Sequence, residues 1–185
     1  QLGLTGMIRD MMERTAKKRQ PLSIDVPFNL NNDTDLSRCL SVVEAAAESH
    51  PQVISDLISR FGSSKAKPPV IGVTGTGGAG KSSLVDEILL RFLHDFPEKR
   101  VAILSCDPTR KRTGGALLGD RIRINSAASP RVFLRSMATR SHAGEISGAV
   151  KEALAVLGVA EFDLIITGTA GAGQSDSAIA PLVNV

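Results

Sequence analysis

The chain has 185 residues, of which 42% are hydrophobic, 22% charged and 3% aromatic, and its formal net charge is +3. This length allows one ordinary domain with a hydrophobic core and a smaller appendage, and no apolar run is long enough to span a bilayer. Because the sequence has no tryptophan or tyrosine to stack on exposed bases, and its charges of both signs are interspersed, we expect neither nucleic acid nor a membrane as a partner.

The first predicted element is a helix over residues 2–19. Its apolar side chains recur at helical spacing on one face, and its last residues are basic. Such a face usually packs on a partner. Residues 21–32 contain two prolines and three asparagines, which is typical of an extended linker. We therefore treat residues 1–19 as a terminal helix distinct from the rest of the chain.

A helical hairpin is predicted next, over residues 33–49 and 51–61. Both helices begin with residue types that suit a helix N-terminus, an aspartate in the first and a proline in the second. The GSSKAKPP stretch at 62–69 has linker composition. The sequence thus predicts a linker and hairpin region over 20–69, followed by a domain over 70–185.

After this boundary, predicted strands alternate with predicted helices. The strands are apolar on both faces and are expected at residues 70–74, 101–105, 131–135 and 164–167. The intervening helices are expected at residues 81–96 and 144–157. Apolar strands separated by helices predict an α/β fold, with a mostly parallel sheet flanked by helices on either side.

A glycine-rich loop follows the first of these strands. Residues 71–84 read IGVTGTGGAGKSSL, and Gly75–Ser82 fits the pattern G-x-x-x-x-G-K-S/T between a predicted strand and a predicted helix. Glycines permit positive φ and let successive N–H groups converge on phosphate oxygens, next to the positive end of the helix dipole. Lys81 is expected to reach the β- and γ-phosphates, and Ser82 to coordinate Mg²⁺. The motif predicts a P-loop NTPase. Partitioning-type ATPases carry a lysine at the position of Thr76, so this residue argues against the partitioning type.

Candidates for metal binding and hydrolysis follow the second strand. Asp107 comes directly after it, at the carboxyl end where open parallel sheets bind ligands, and is expected to face the metal directly or through water. Farther along, Asp120 and Arg123 follow a pair of glycines. Such a pair allows a loop to order and disorder with the γ-phosphate, as a switch segment does.

Four blocks of this sequence resemble the G3E-type P-loop GTPases that serve adenosylcobalamin-dependent acyl-CoA mutases. They read GTGGAGKSSL, CDPTRKRTGGALLGDRIRIN, RSMATRSHAGEIS and GTAGAGQSD, and the resemblance covers residues 70–177. The N-terminal QLGLTGMIRDMM resembles the final helix of a cobalamin-binding domain. Together they resemble the fused isobutyryl-CoA mutase family, in which a cobalamin domain, a linker, a GTPase and a substrate domain share one polypeptide.

The resemblance implies roles for particular residues. Lys81 and Asp107 would be catalytic. The implied metal ligands are Ser82, Asp107, Asp120 and Thr169. The implied GTP or GDP ligands are Gly75, Gly77, Gly78, Ala79, Gly80, Lys81, Ser82, Ser83 and Arg123.

The resemblance also implies a function for the intact protein. A Mg²⁺-dependent GTPase would gate the loading and protection of adenosylcobalamin, and the cofactor would rearrange isobutyryl-CoA to n-butyryl-CoA. The implied partners are the cobalamin-binding and substrate domains of the mutase, in the same chain or a partner chain. A homodimer is expected.

The sequence departs from the family pattern in two places. The family reads E-T-x-G-x-G-Q after the fourth strand, where this chain reads GTAGAGQ at residues 168–174, so Gly168 replaces the glutamate. A carboxylate beside Mg²⁺ would hold its water shell or arrange the attacking water, so we expect nucleotide binding with weakened hydrolysis. No N-K-x-D segment, which reads guanine, occurs in the 185 residues, so guanine specificity depends on the resemblance alone.

Three other functions compete with this interpretation. A stand-alone GTPase chaperone of methylmalonyl-CoA mutase has the same blocks but is not expected to begin with the N-terminal helix. A nickel-delivery GTPase needs a soft or imidazole site, whereas the three histidines are scattered: His50, His94 and His142. A small-molecule phosphotransferase needs an acceptor pocket and a general base, and the sequence indicates neither.

The cellular compartment is inferred from the cysteines and the N-terminus. Cys39 and Cys106 have neither the number nor the spacing of a disulfide framework or a metal knuckle, which agrees with a reducing compartment. The N-terminus lacks the basic-then-apolar order of a secretion signal, and it begins with Gln1 rather than methionine, as expected of an excerpt or a processed chain. We expect a cytoplasmic protein.

Overall fold

The computed structural model describes residues 3–18, 27–46, 51–62, 67–108, 124–139, 148–169 and 179–185. Within these ranges the helices are α1 Leu4–Lys18, α2 Asp33–Ala46, α3 Pro51–Arg60, α4 Lys81–Asp95 and α5 Gly148–Val159. The strands are β1 Val70–Val73, β2 Val101–Pro108, β3 Val132–Thr139 and β4 Leu164–Thr169. A short 3-10 helix, Asn125–Ala128, precedes β3.

The four described strands form one parallel sheet in the order β1-β4-β2-β3. Helix α4 connects β1 to β2, and because β4 lies between these two strands in the sheet, this connection crosses over β4. The last residue of β1, Val73, is level with Gly168 of β4 and Ser105 of β2, so β4 and β2 extend one and three residues beyond it. The predicted α/β fold with a parallel sheet is therefore confirmed.

Helices cover both faces of the sheet. On one face, Val85 and Leu89 of α4 pack with Ile103 and Ile166 of the central strands. On the other face, α2, α3 and α5 share a single hydrophobic cluster with the sheet; the fully buried members include Leu36, Leu40, Ile54, Leu57, Leu157 and Ile165. The helical hairpin thus contributes to the core of the sheet-bearing unit, while the position of a domain boundary before residue 70 stays a prediction.

Three strands are longer than the sequence predicts. β2 continues to Pro108 rather than residue 105, and β3 and β4 continue to Thr139 and Thr169. Polar and small residues at these ends look like loop in the sequence, yet Asp107 pairs with Ala138 across the sheet. Neighbouring strands supply the hydrogen bonds that extend the ladder past the apolar residues.

The two cysteines are free and buried. Burial raises the pKa of the Cys39 thiol to about 11, so this side chain stays protonated at neutral pH.

Helix α1 leaves its apolar side chains at least half exposed: Leu4, Met7, Ile8, Met11 and Met12. No helix in the described ranges is long and apolar enough to cross a membrane.

Arg131 caps the C-terminus of α4. Its guanidinium donates to the carbonyl oxygens of Leu93 and Phe96, both at 2.9 Å, and to that of Lys99 at 3.4 Å. These carbonyls lie at the negative end of the helix dipole, where a fixed cation is stabilising. The contact ties the end of the helix to the residue that precedes β3.

Replacing Arg131 by alanine is expected to lower the free energy of unfolding by about 1–3 kcal/mol, because several carbonyls lose a charged donor. Urea denaturation followed by circular dichroism measures this change. Arg91→Ala is the matched control, since Arg91 pairs with Glu87 on the exposed face of the same helix. It should cost no more than about 0.5 kcal/mol. Equal losses in the two variants would contradict the capping role.

Asp163 lies at the amino end of the sheet, directly before β4. Its carboxylate accepts hydrogen bonds from Lys99 Nζ at 2.7 Å and from the N–H of Arg100 at 2.9 Å. The guanidinium of Arg100 lies 4.8 Å from the centroid of the Phe162 ring and 3.2 Å from Asp33 Oδ1. These contacts join the hairpin to the start of β2. Burial acts to raise the pKa of Asp163, but the hydrogen bonds and charges of Lys99 and Arg100 outweigh it and hold the pKa below 3.8.

A carboxylate with a lowered pKa stabilises the fold above its unfolded-state pKa and loses that contribution as the pH falls through its folded-state value. We therefore expect acidification from about pH 4 to pH 2 to destabilise the unsubstituted chain more than Asp163→Asn. At pH 7 the variant should be less stable by no more than about 1 kcal/mol, because the ion pair is partly exposed. Unfolding free energies measured across this range would contradict the prediction if both chains lose stability in parallel.

Candidate functional site

The loop between β1 and α4 has the backbone conformation of an anion cradle. Gly75, Gly78 and Gly80 have φ values of 144°, 82° and 85°, a region that residues with a β-carbon rarely adopt. A β-carbon built at Gly78 or Gly80 meets nothing within 4 Å, so backbone conformation rather than crowding requires glycine there. Residues 76–80 are exposed. The main chain of this loop is therefore open to a ligand from solvent.

Lys81 folds back over the loop. Its Nζ donates to the carbonyl oxygen of Gly75 at 2.6 Å and to that of Thr76 at 2.9 Å. The carbonyl of Thr76 also accepts from the N–H of Ala79 at 3.2 Å, which closes a tight turn. The ammonium group is thus held at the mouth of the loop by two neutral acceptors. An anionic oxygen forms stronger hydrogen bonds with an ammonium than a carbonyl does.

The N-terminus of α4 faces the same loop without a side-chain cap. Its N-cap residue is Gly80, which makes no side-chain hydrogen bond, and the first turn has no acidic residue. The first N–H groups of a helix have no intrahelical partner, and together with the dipole they favour an anion. Ser82 is half-buried and Ser83 is exposed in this turn. The arrangement fits the phosphates of a nucleotide, and the role of Ser82 as a metal ligand stays a prediction.

The other strand ends lie at this edge of the sheet. Asp107 pairs with Ala138 on β3, and Thr169 pairs with Cys106 on β2, so the main chain of both predicted metal ligands lies one or two residues beyond the level of Val73. The structure thus brings the backbone of Asp107 and Thr169 to the edge from which the glycine loop emerges. Their roles as ligands stay predictions.

Two predicted site residues lie outside the described part of the chain. Asp120 and Arg123 both fall in residues 109–123. The described chain resumes at Ile124, which is buried against α4. The structure therefore describes the residues of the glycine loop and the start of α4, whereas the roles of Asp120 and Arg123 remain predictions.

Gly168 lies in β4, between Val73 and Ser105. A β-carbon built there meets the carbonyl oxygen of Val73 at 3.5 Å, which is ordinary van der Waals contact. Its φ is not positive, unlike those of the loop glycines. The backbone at this position therefore accepts a β-carbon without strain.

Sequence reasoning missed Asp86 on the second turn of α4. Its Oδ1 accepts a hydrogen bond from the N–H of Ser126 at 2.9 Å. The pKa of Asp86 is lowered, first by this backbone hydrogen bond, then by the Ser126 hydroxyl and, more weakly, by the N–H of Asn125. The two partners lie 40 residues apart, and no local pattern in the sequence indicates that they meet.

Comparison with known proteins places these features in a family. A family model described as methylmalonyl Co-A mutase-associated GTPase MeaB matches residues 36–185. The fused isobutyryl-CoA mutase of Geobacillus kaustophilus is 44% identical over 190 aligned positions, and that of Cupriavidus metallidurans is 41% identical over 188. Both alignments cover 100% of this chain but 18% and 17% of the relatives, so the chain spans less than a fifth of their length.

A solved structure shares the fold. The crystal structure of LAO/AO transport system kinase superposes with a TM-score of 0.60 at 23% identity. The superposition covers 83% of this chain and 44% of the other. At this level of identity the likeness supports the α/β architecture and carries no information about substrate.

Proposed function

Because the chain belongs to the family of methylmalonyl-CoA mutase-associated GTPases, and is therefore a P-loop GTPase, we propose that it is the GTPase domain of a fused isobutyryl-CoA mutase. The observation that carries this proposal is the extent of the alignment. The family match begins at residue 36, whereas both fused mutases align with the whole chain, including residues 1–35. This favours a fused mutase over a stand-alone chaperone GTPase, and family membership disfavours nickel delivery and small-molecule phosphotransfer.

The nucleotide proposed for this site is GTP or GDP with Mg²⁺. Positive-φ glycines, an uncapped helix N-terminus and a lysine held at the mouth of the loop together fit a phosphate chain. When bound, Mg²⁺ would supply charge neutralisation for the phosphates. We assign the Ser82 hydroxyl to the metal, with Asp107, Asp120 and Thr169 as the further ligands to be tested. Lys81 would bind the phosphates, and Arg123 would contact the nucleotide.

In the intact protein this domain would gate adenosylcobalamin. Nucleotide state would bias how the cobalamin-binding and substrate domains meet, which controls loading and protection of the cofactor for rearrangement of isobutyryl-CoA to n-butyryl-CoA. The apolar face of α1 supports this arrangement, because side chains such as Met11 and Met12 are 67% exposed, as expected of a helix that packs on another domain. We propose that α1 is the last helix of the cobalamin-binding domain. A homodimer and a cytoplasmic location remain predictions.

Calorimetric titration of the chain in Mg²⁺ with GTP, GDP, ATP and ADP tests the nucleotide assignment. The 185 residues contain no N-K-x-D segment to read guanine, so we expect guanine and adenine nucleotides to bind this chain with similar affinity, through their phosphates. In the intact polypeptide, guanine nucleotides should bind at least about tenfold more tightly, which corresponds to about 1.4 kcal/mol. Equal affinities in the intact polypeptide would contradict guanine specificity, and binding of neither class by the folded chain would contradict the whole proposal. In the intact polypeptide, Lys81→Ala should make the rate of adenosylcobalamin loading independent of GTP.

A further inference from the structure

Asp86 connects the nucleotide-binding helix to a distant part of the chain. Its carboxylate lies at the N-terminus of the 3-10 helix Asn125–Ala128 and accepts the N–H of Ser126 at 2.9 Å. The residue that precedes this helix is Ile124, which provides no side-chain cap. A carboxylate from α4 therefore satisfies N–H groups that the 3-10 helix leaves without a partner.

Apolar packing reinforces this contact. Ile124 is 7% exposed and belongs to the same hydrophobic cluster as Val85 and Leu89, which lie on either side of Asp86 along α4. Ala127 packs against that cluster as well. The chain is thus attached to α4 by the charged hydrogen bond at Ser126 and by the apolar contacts of Ile124, and we call residues 124–126 the anchor.

The anchor lies close to the phosphate loop. Asp86 follows Lys81 by five residues, which is about 7.5 Å along a helix axis. Arg131 fixes the other end of α4, so the helix is held at both its middle and its C-terminus by the chain around β3. The same helix, α4, therefore presents its N-terminus to the proposed phosphate site and holds Ile124, the residue after Arg123.

We propose that Asp86 is a positioning residue, which holds residues 124–126 on α4 and thereby sets the Mg²⁺-dependent part of nucleotide affinity. This inference rests on the proposed function, in which residues just before the anchor approach the metal and the nucleotide. Asp86 would act through the chain that it holds, without touching the nucleotide itself. The phosphate loop would bind phosphate through its own main chain and Lys81, which are not part of this anchor.

Fluorescence titration with methylanthraniloyl-GDP, in Mg²⁺ and in excess EDTA, tests the proposal. For Asp86→Ala we expect the ratio of the two dissociation constants, EDTA over Mg²⁺, to fall about tenfold, as for loss of a partner that orients metal ligands. Affinity in EDTA should change little. Asp86→Asn keeps one acceptor oxygen, so its ratio of dissociation constants should lie between those of Asp86→Ala and the unsubstituted chain. Glu87→Ala, an exposed neighbour on the same helix, should behave as the unsubstituted chain.

Amide hydrogen exchange supplies a measurement that does not require nucleotide. In Asp86→Ala the amides of residues 124–128 should exchange at least about tenfold faster, while the amides of β2 and β4 stay protected. Unchanged exchange at 124–128, or an unchanged Mg²⁺ ratio in a folded variant, would overturn the proposal. Equal weakening with and without Mg²⁺ would also overturn it, as that indicates a merely structural residue. If the unsubstituted chain binds no nucleotide, the proposed function fails, and exchange alone then decides whether the anchor exists.

Discussion

Lys81→Ala is expected to weaken binding of GTP and GDP about 100-fold while leaving the protein folded. In the free chain the ammonium donates to the carbonyls of Gly75 and Thr76, so nucleotide binding exchanges neutral acceptors for anionic phosphate oxygens. The stronger charged hydrogen bonds are lost in the variant, at a cost of about 2–3 kcal/mol, and each 1.4 kcal/mol is about tenfold in affinity. Calorimetric titration with GDP and Mg²⁺ measures the change.

Lys151→Ala is the matched control for this prediction. Lys151 is an exposed lysine on α5, and its removal changes the net charge by the same amount. Its affinity for GDP should stay within about twofold of the unsubstituted chain, because charges separated by solvent are screened over about 8 Å at physiological ionic strength. If both variants weaken binding equally, the lysine acts through net charge rather than through a contact with phosphate. Thermal unfolding of both variants must show that the fold is retained.

The glycine loop could be predicted from the sequence because its conformation is decided locally. Positive φ at Gly78 and Gly80 depends on the residue type at each position, and the built β-carbons show no crowding from elsewhere in the fold. The following helix also begins where the motif predicts, at Lys81. Local backbone preference and hydrophobic periodicity agree here, so one stretch of sequence is sufficient.

The strand ends could not be predicted in the same way. Asp107 and Pro108 have poor intrinsic preference for strands, yet β2 includes both because β3 lies alongside them as far as Thr139. Pairing of this kind depends on a neighbour that is distant in sequence. The contact between Asp86 and Ser126 was missed for the same reason, since a half-buried carboxylate on a helix has no pattern that identifies a partner 40 residues away.

The α4 helix contacts both the glycine loop, which the sequence predicts, and the segment before β3, which it does not. Its N-terminus faces the glycine loop, its second turn holds the 3-10 helix through Asp86, and its C-terminus is capped by Arg131. Each contact involves a different segment of the sheet-bearing unit. A shift of this helix on nucleotide binding would therefore be transmitted to the chain that precedes β3, which gives a physical connection between the phosphate loop and the rest of the fold.

Gly168→Glu is expected to accelerate single-turnover hydrolysis of GTP by about 100-fold, within the range for a correctly placed general base or water-orienting group. The pattern E-T-x-G-x-G-Q, which the resemblance to the family implies, would place a glutamate at this position, where β4 pairs with the last residue of β1 before the glycine loop. The backbone accepts a β-carbon, which meets only the Val73 carbonyl oxygen, at 3.5 Å, and the backbone φ is not positive. The affinity for GTP should stay within about threefold, since the phosphate contacts come from the loop and α4.

Two further variants separate the charge of the new side chain from its bulk. Gly168→Gln has nearly the same shape without a carboxylate, and Gly168→Ala adds only the β-carbon, so neither should recover more than about a tenth of the gain if the carboxylate orients the attacking water. Rapid-quench measurement of phosphate release with excess enzyme gives the rate of the chemical step for all four chains. Equal rates for Gly168 and Gly168→Glu would show that hydrolysis does not depend on a carboxylate here. Because loop glycines and Lys81 are unchanged throughout, any loss of binding in these variants would instead place residue 168 in contact with the phosphates.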